Sequence, residues 1–169
     1  MKSFAVLLAL IMTLGALQAS PLWNGTDTGM SIEVVKKKFP TAISPQDPGE
    51  LYGKIFEGLR ISTVTYLDEK FLVRFYFDKG SLHQVTLELQ KKRAHPSMVK
   101  LAERVATDLS KRLGEPKSKK ETKDVTGARF EAFWNTPEQK VSVLVISMGP
   151  TEALYEPLCF NINYQHEEK

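Results

Sequence analysis

The stretch FLVRFYFDKGSLHQVTLEL, residues 71–89, decides the fold that we expect for this chain. Every second residue from Phe71 to Phe77 is large and apolar, and the alternation returns between Val85 and Leu89. Between the two runs lies DKGS, a sequence typical of a tight turn. A side-chain period of two indicates a strand with one buried face. The stretch therefore predicts an antiparallel hairpin whose apolar face another element must cover.

A short helix and a further strand are expected on the N-terminal side of this hairpin. Ser31 is a suitable N-cap, because its hydroxyl can accept a hydrogen bond from an unpaired amide of the first turn. Apolar residues recur at helical spacing up to Phe39, and Pro40 stops the helix. Residues 59–67 alternate weakly and predict a third strand. These elements form a first unit, residues 20–93.

The same order of elements recurs in a second unit, residues 94–169. A longer helix starts at a cap formed by His95 or Ser97, and Gly114 with Pro116 ends it. Its apolar stripe consists of Met98, Leu101, Ala102, Val105, Leu109 and Leu113. The strands expected after it are 128–135, 141–148 and 158–165. The fold class that follows is α+β, with two tandem helix-plus-antiparallel-meander units (αβββ–αβββ) and the helices packed on one face of the sheet.

The N-terminal segment, residues 1–19, has the order of a secretory signal peptide. Lys2 precedes an apolar run at 4–17, and small residues follow, with cleavage expected near Ala19. The run is shorter than the roughly 20 residues that a membrane-spanning helix needs. An uncleaved N-terminal anchor is the alternative. We therefore expect an exported, soluble protein of the periplasm.

The cysteine content refines this expected location. Cys159 is the only cysteine of the chain. A single thiol cannot close an internal disulfide, which favours a bacterial periplasmic domain held by packing alone. Lipid attachment after signal cleavage requires a cysteine at that position, and none is there. We therefore expect no lipid anchor, and the oligomeric state stays open.

The net charge of +3 comes from local basic runs at 36–38, 91–93 and 117–123. Such runs are typical of solvated helix ends and loops, and the alternative is a patch for an anionic lipid, a glycan or an acidic partner. No nucleic-acid-binding motif is present, and nucleic acid is not an expected partner in the periplasm.

The helix start and the turn carry a family resemblance. TGMS at 28–31, Val35, the Phe-Pro pair at 39–40 and FYFDKGSL at 75–82 resemble the BamE (SmpA/OmlA) pattern of periplasmic proteins. The end of the second helix, 109–116, is similar to the equivalent helix end. Two such units in tandem also resemble the layout of β-lactamase inhibitor proteins (BLIP). That resemblance implies a sheet face on which a protein partner sits.

Two departures limit what the resemblance implies. BamE proteins are lipoproteins with one such unit, whereas this chain lacks a lipid-accepting cysteine and shows two units. BLIP-type inhibitors carry disulfides, which the lone Cys159 cannot form. Fold similarity alone is in any case a weak guide to function.

No arrangement of residues typical of catalysis is visible. The three histidines are isolated, and neither a nucleophile elbow nor a phosphate-binding loop occurs. Glu88 and Glu131 could converge in space as paired carboxylates, but cross-strand charge pairing explains them more simply. We therefore expect no enzyme, no cofactor and no metal site.

A binding surface is expected on the strand faces opposite the apolar stripes. Tyrosine and arginine are enriched at protein interfaces, and the face combines them with amides and carboxylates. The candidate residues are Arg74, Tyr76, Glu88, Arg129, Glu131, Asn161 and Asn163. The plain alternative is a solvated face with ordinary cross-strand pairs. The expected function is a non-catalytic binding or adaptor protein that contacts a protein partner in the cell envelope. Inhibition of an envelope or host hydrolase is the alternative function.

Overall fold

The computed structural model of the chain describes residues 21–150 and 156–166. The expected signal peptide, residues 1–19, and its cleavage site lie outside the described residues and stay predictions. No helix in the described ranges has the length and apolar character needed to span a membrane.

The described residues form two helices and eight strands. The helices are α1 (Ile32–Lys38) and α2 (His95–Leu113). The first four strands are β1 (Glu50–Leu51), β2 (Ile55–Tyr66), β3 (Glu69–Asp78) and β4 (Ser81–Leu89). The last four are β5 (Ser118–Asp124), β6 (Gly127–Asn135), β7 (Lys140–Met148) and β8 (Glu156–Gln165).

All the strands belong to one curled antiparallel sheet of order β1-β2-β3-β4-β8-β7-β6-β5. The hairpin predicted from residues 71–89 is present as β3 and β4, with Asp78 opposite Ser81. Lys79 and Gly80, at φ 47° and 84°, form its turn, and positive φ at both positions is the signature of a type I′ turn. β8 lies between β4 and β7, so the centre of the sheet joins strands far apart in the chain.

The predicted fold class, two αβββ units with helices packed on the sheet, is wrong. The molecule is mainly a single eight-stranded curled sheet, and α1 has 7 residues, of which Val35 is the buried one. One buried side chain from so short a helix cannot cover a meander. The prediction failed because periodicity is local, whereas the pairing of β4 with β8 that merges the strands is not. The boundary expected at residues 93–94 lies in the loop between β4 and α2.

A single apolar cluster lies on one side of the sheet, which we call the core face. The predicted stripe of α2 contributes to it from Met98 to Leu109, and α2 packs on β6, β7 and β8. The fully buried indole of Trp134 donates from Nε1 to the carbonyl of Gly114 at 2.9 Å. This bond fixes the C-terminal end of α2 on β6.

Candidate binding face

The side of the sheet opposite the core cluster carries polar side chains, and we call it the polar face. One row crosses five adjacent strands in register and consists of Arg60, Arg74, Thr86, Asn163 and Ser142. Because side chains alternate between faces, the apolar neighbours of these residues along each strand point into the core. All the candidate residues expected from the sequence lie on this polar face, but in two separate groups.

A buried carboxylate organises the first group. Glu57 is 2% exposed. Its Oε1 accepts from Arg60 Nε at 2.6 Å, and its Oε2 accepts from Arg60 Nη2 at 2.7 Å and from Arg74 Nη1 at 2.8 Å. The backbone amide of Gly49 donates to the same Oε2 at 3.0 Å. A buried charge is tolerated only when it is paired and hydrogen-bonded, and Glu57 meets both conditions.

The protonation of Glu57 follows from these contacts. Burial by itself raises the pKa of a carboxyl group, since it disfavours the charged form. The hydrogen bonds from Arg60, Gly49 and Arg74 outweigh burial and hold the pKa of Glu57 below its ordinary value. Glu57 is therefore an anion at neutral pH, and both arginines are fixed by it.

Arg74 connects this carboxylate to the next strand. Its Nε donates to Glu88 Oε2 at 2.9 Å, so the Arg74–Glu88 pair expected across strands is present. We call Glu57, Arg60, Arg74 and Glu88 the ion cluster. Arg60 and Arg74 keep 24% and 21% of their side chains exposed, so part of each arginine reaches the surface of the polar face.

Tyr76 lies beside the ion cluster but is 7% exposed. The loop before β2 covers it closely, since a Cβ added at Gly49 would lie 3.2 Å from the Tyr76 hydroxyl oxygen. Burial raises the pKa of Tyr76, so its hydroxyl stays neutral. Tyr76 is therefore buried under this loop and offers little surface to a partner.

An uncharged ladder of side chains continues from the ion cluster toward β7. Gln84 Nε2 donates to Thr86 Oγ1 at 2.8 Å, and Thr86 Oγ1 donates to Asn163 Oδ1 at 2.9 Å. Asn163 Nδ2 then donates to Ser142 Oγ at 3.1 Å. In the next row Asn161 lies opposite Glu88, and its buried Oδ1 accepts no hydrogen bond from the described part of the chain. The ladder lies beside the ion cluster on the polar face, and because Gln84 and Thr86 are 4% and 5% exposed, its accessible part is Asn161, Asn163 and Ser142.

The second group of candidates lies on β6, beyond the apolar side chains of β7. Arg129 Nη2 is 3.3 Å from Glu131 Oε2, and their side chains are 51% and 26% exposed. Leu144 of β7 lies between Glu131 and Asn161 in the register. The paired carboxylates Glu88 and Glu131 considered from the sequence are therefore separated by two strands and do not form a site.

Glu57 and Arg60 are members of the cluster that the sequence patterns missed. In a regular strand two residues three positions apart point to opposite faces. The register of β2 shifts between Glu57 and Leu59, and this bulge brings both charged side chains to the polar face. A Cβ added at Gly58 would lie 2.7 Å from Phe77 Cδ2, so the bulge requires a glycine there. The glycine that follows Glu57 was the one signal in the sequence that could have indicated the bulge.

A second polar arrangement lies on the core face, where α2 begins. His95 Nδ1 is 2.9 Å from Ser147 Oγ, and His95 Nε2 is 3.5 Å from Glu121 Oε1. This order of groups is that of a serine–histidine–acid triad. However, Ser147 and His95 are each 1% exposed, beneath the first turn of α2, so a substrate has no path to the hydroxyl. The contact between His95 and Ser147 instead fixes the start of α2 to β7.

The structure also shows the surroundings of the cysteine and of the side chains that could bind a metal. Cys159 lies on β8, where burial raises the pKa of its thiol, and a protonated thiol is a poor nucleophile. In the described ranges, no three side chains of His, Cys, Asp or Glu are grouped so that they could hold a metal ion.

No protein-family model matches the chain, and neither a curated protein nor a solved structure matches it. The resemblance to the BamE and BLIP patterns is thus not identified by these comparisons and stays a prediction.

Proposed function

We propose that the chain is a non-catalytic binding or adaptor protein that contacts a protein partner through the polar face. The observation that carries this proposal is the ion cluster, in which Glu57 holds Arg60 and Arg74 in fixed positions at the surface. Arginine is enriched among the residues that dominate binding energy. A side chain that is already fixed loses less conformational entropy when a partner binds.

The chemistry of the surface defines the partner that it fits. Fixed guanidinium groups favour planar acceptors such as carboxylates and backbone carbonyls. In the neighbouring ladder, Asn163 and Ser142 are partly exposed and supply donors and acceptors, whereas Gln84 and Thr86, which are 4% and 5% exposed, lie buried beside them. Both helices contribute to the core on the opposite side, so neither helix covers the polar face, and the loop before β2 covers only its end at Glu57 and Tyr76. A protein surface rich in carboxylates and exposed backbone carbonyls fits best, and the expected signal peptide supports a partner in the cell envelope.

Site-specific photo-crosslinking tests this proposal. A photoreactive amino acid replaces Ser142, at the β7 end of the polar row, and a second variant carries it at Glu103, on the exposed side of α2. We expect a discrete crosslinked partner in the periplasm from position 142 and none from position 103. Equal crosslinking from both positions, or none from position 142, would contradict the proposal.

The same crosslinking experiment tests the alternative function, which is inhibition of an envelope or host hydrolase. If the partner crosslinked at position 142 is a hydrolase, its purified activity is measured with increasing amounts of the chain. Dose-dependent loss of activity would assign the chain as an inhibitor, whereas unchanged activity would assign it as an adaptor. Both outcomes use the polar face as the contact surface.

A further inference from the structure

A cleft lies on the core face of the sheet, between the C-terminal half of α2 and the segment that precedes α1. Its volume is about 320 Å³, at the lower end of the size range of small-molecule sites. Leu87 of β4 and Tyr164 of β8 line it, so it lies over the centre of the sheet. The polar face is on the other side of the sheet, so the cleft is independent of the proposed function.

Aromatic side chains from three parts of the chain converge on this cleft. They are Trp23 before α1, Tyr66 at the end of β2 and Tyr164 of β8. Trp23 is stacked on Phe39, with ring centroids 5.7 Å apart and planes inclined by 24°, which fixes the indole in place. Rigid aromatic rings of this kind offer flat apolar surfaces that lose little entropy when a ligand packs on them.

An acidic and a basic side chain of α2 line the same cleft. Tyr66 Oη donates to Asp108 Oδ2 at 2.7 Å, and Arg112 Nη2 lies 3.9 Å from the same oxygen. Burial and this bond raise the pKa of Tyr66, so its hydroxyl remains a donor. A carboxylate has acceptor sites beyond the one that Tyr66 occupies. The cleft therefore offers acceptors and donors side by side.

The balance of charge in the cleft selects the class of ligand. Asp108 and Arg112 carry opposite charges, so the cleft favours neither an anion nor a cation. A purely apolar ligand would displace water from the carboxylate and the guanidinium and leave their remaining hydrogen-bonding sites unpaired, which costs free energy. The ligand that fits must be neutral, must both donate and accept, and must present an apolar face to aromatic rings.

From these groups we infer that the cleft binds a neutral sugar residue of a glycan. The ring of the sugar packs on Trp23 and Tyr66, which are both partly exposed. Its hydroxyl groups donate to Asp108 and accept from Arg112. A sugar combines the required properties, since its ring carbons are apolar and each hydroxyl both donates and accepts.

Nuclear magnetic resonance of the full mature chain tests this inference. The indole N–H signal of Trp23 is followed during titration with chitotriose, maltotriose and cellotriose, and with acetate and tetramethylammonium as charged controls. We expect saturable shifts with at least one saccharide and none with the two ions. Saturation by either ion would overturn the inference. The absence of a shift with all three saccharides at about 20 mM would also overturn it, because a dissociation constant above that concentration is too weak for a specific site.

Two helix variants separate binding from folding. Asp108→Ala removes the acceptor, and Glu103→Ala removes a matched carboxylate of α2 that does not line this cleft. Alanine favours the helix at both positions, so both variants should fold. We expect the affinity for the saccharide to fall about tenfold in Asp108→Ala, as for a lost hydrogen bond to a charged group, and to stay unchanged in Glu103→Ala. Equal affinities in the two variants would contradict the assigned role of Asp108.

Discussion

Two arginine–glutamate contacts on the polar face have the same chemistry but differ in their burial and in the number of their partners. Around Glu57, a fully buried carboxylate accepts from two arginines and a backbone amide. On β6, Arg129 and Glu131 meet at 3.3 Å, with half of the arginine in solvent. Buried charges depend strongly on their partners, whereas exposed pairs contribute roughly 0–1 kcal/mol. The difference teaches that burial, and not residue type, decides which charged pair organises the sheet.

The cause of the difference is the local backbone. The bulge of β2 and the loop around Gly49 enclose Glu57, and Gly49 exchanges backbone and side-chain hydrogen bonds with it. β6 lies instead beside β5, all of whose residues are exposed. Water therefore screens the Arg129–Glu131 pair and is excluded from the carboxylate of Glu57.

The largest expected effect comes from Glu57→Gln. This change removes the charge that Arg60 and Arg74 share, and breaking a buried pair in this way costs about 3 kcal/mol, at the lower end of the range because both arginines are partly exposed. Urea unfolding measures the loss as a lower midpoint with an unchanged slope. Glu131→Gln is the matched control and should change the free energy of unfolding by less than about 0.5 kcal/mol. Similar losses in the two variants would remove the distinction between the two contacts.

A smaller and graded effect is expected on lowering the pH. The pKa of Glu57 is below its ordinary value in the folded chain, and a glutamate in the unfolded chain titrates near about 4.3. Its contribution is therefore complete above that unfolded value and is lost as the pH falls through the folded pKa. Urea unfolding at steps from neutral to acidic pH should show a shallower acid decline for Glu57→Gln than for the unmodified chain. Parallel declines would show that Glu57 is not the group responsible.

The smallest effect is expected from Arg129→Ala. The guanidinium is half in solvent and contacts only Glu131 among the ion pairs of the described residues. Its removal should change the free energy of unfolding by no more than about 0.5 kcal/mol, again measured by urea unfolding. A loss above about 1 kcal/mol would place the pair on β6 in the same class as the ion cluster. If partner crosslinking at position 142 persists in this variant, the Arg129–Glu131 pair on β6 is not required for binding.

The sequence patterns predicted those features of the fold that depend on residues close together in the chain. The hairpin at 71–89 and the buried stripe of α2 follow from side-chain periodicity. Periodicity also placed Arg74, Glu88 and Asn163 on one face, because residues on alternate positions of a strand share a side.

What the patterns missed depends on distant parts of the chain or on irregular backbone. The bulge at Gly58 turns Glu57 toward Arg60, and the loop at Gly49 buries Tyr76. Neither leaves a periodic signal. The same limit produced the wrong fold class, since no local pattern shows that β4 pairs with β8.

The position of β8 also has a consequence for how the chain folds. Thr86 and Asn163, which pair across the centre of the sheet, are 77 residues apart in the chain. Pairing over such separations is slow, because the loop must close before the contacts form. Until then β4 and β8 each expose an open edge, and open edges invite pairing with other chains. The step that completes the sheet is thus also the step at which folding competes with aggregation.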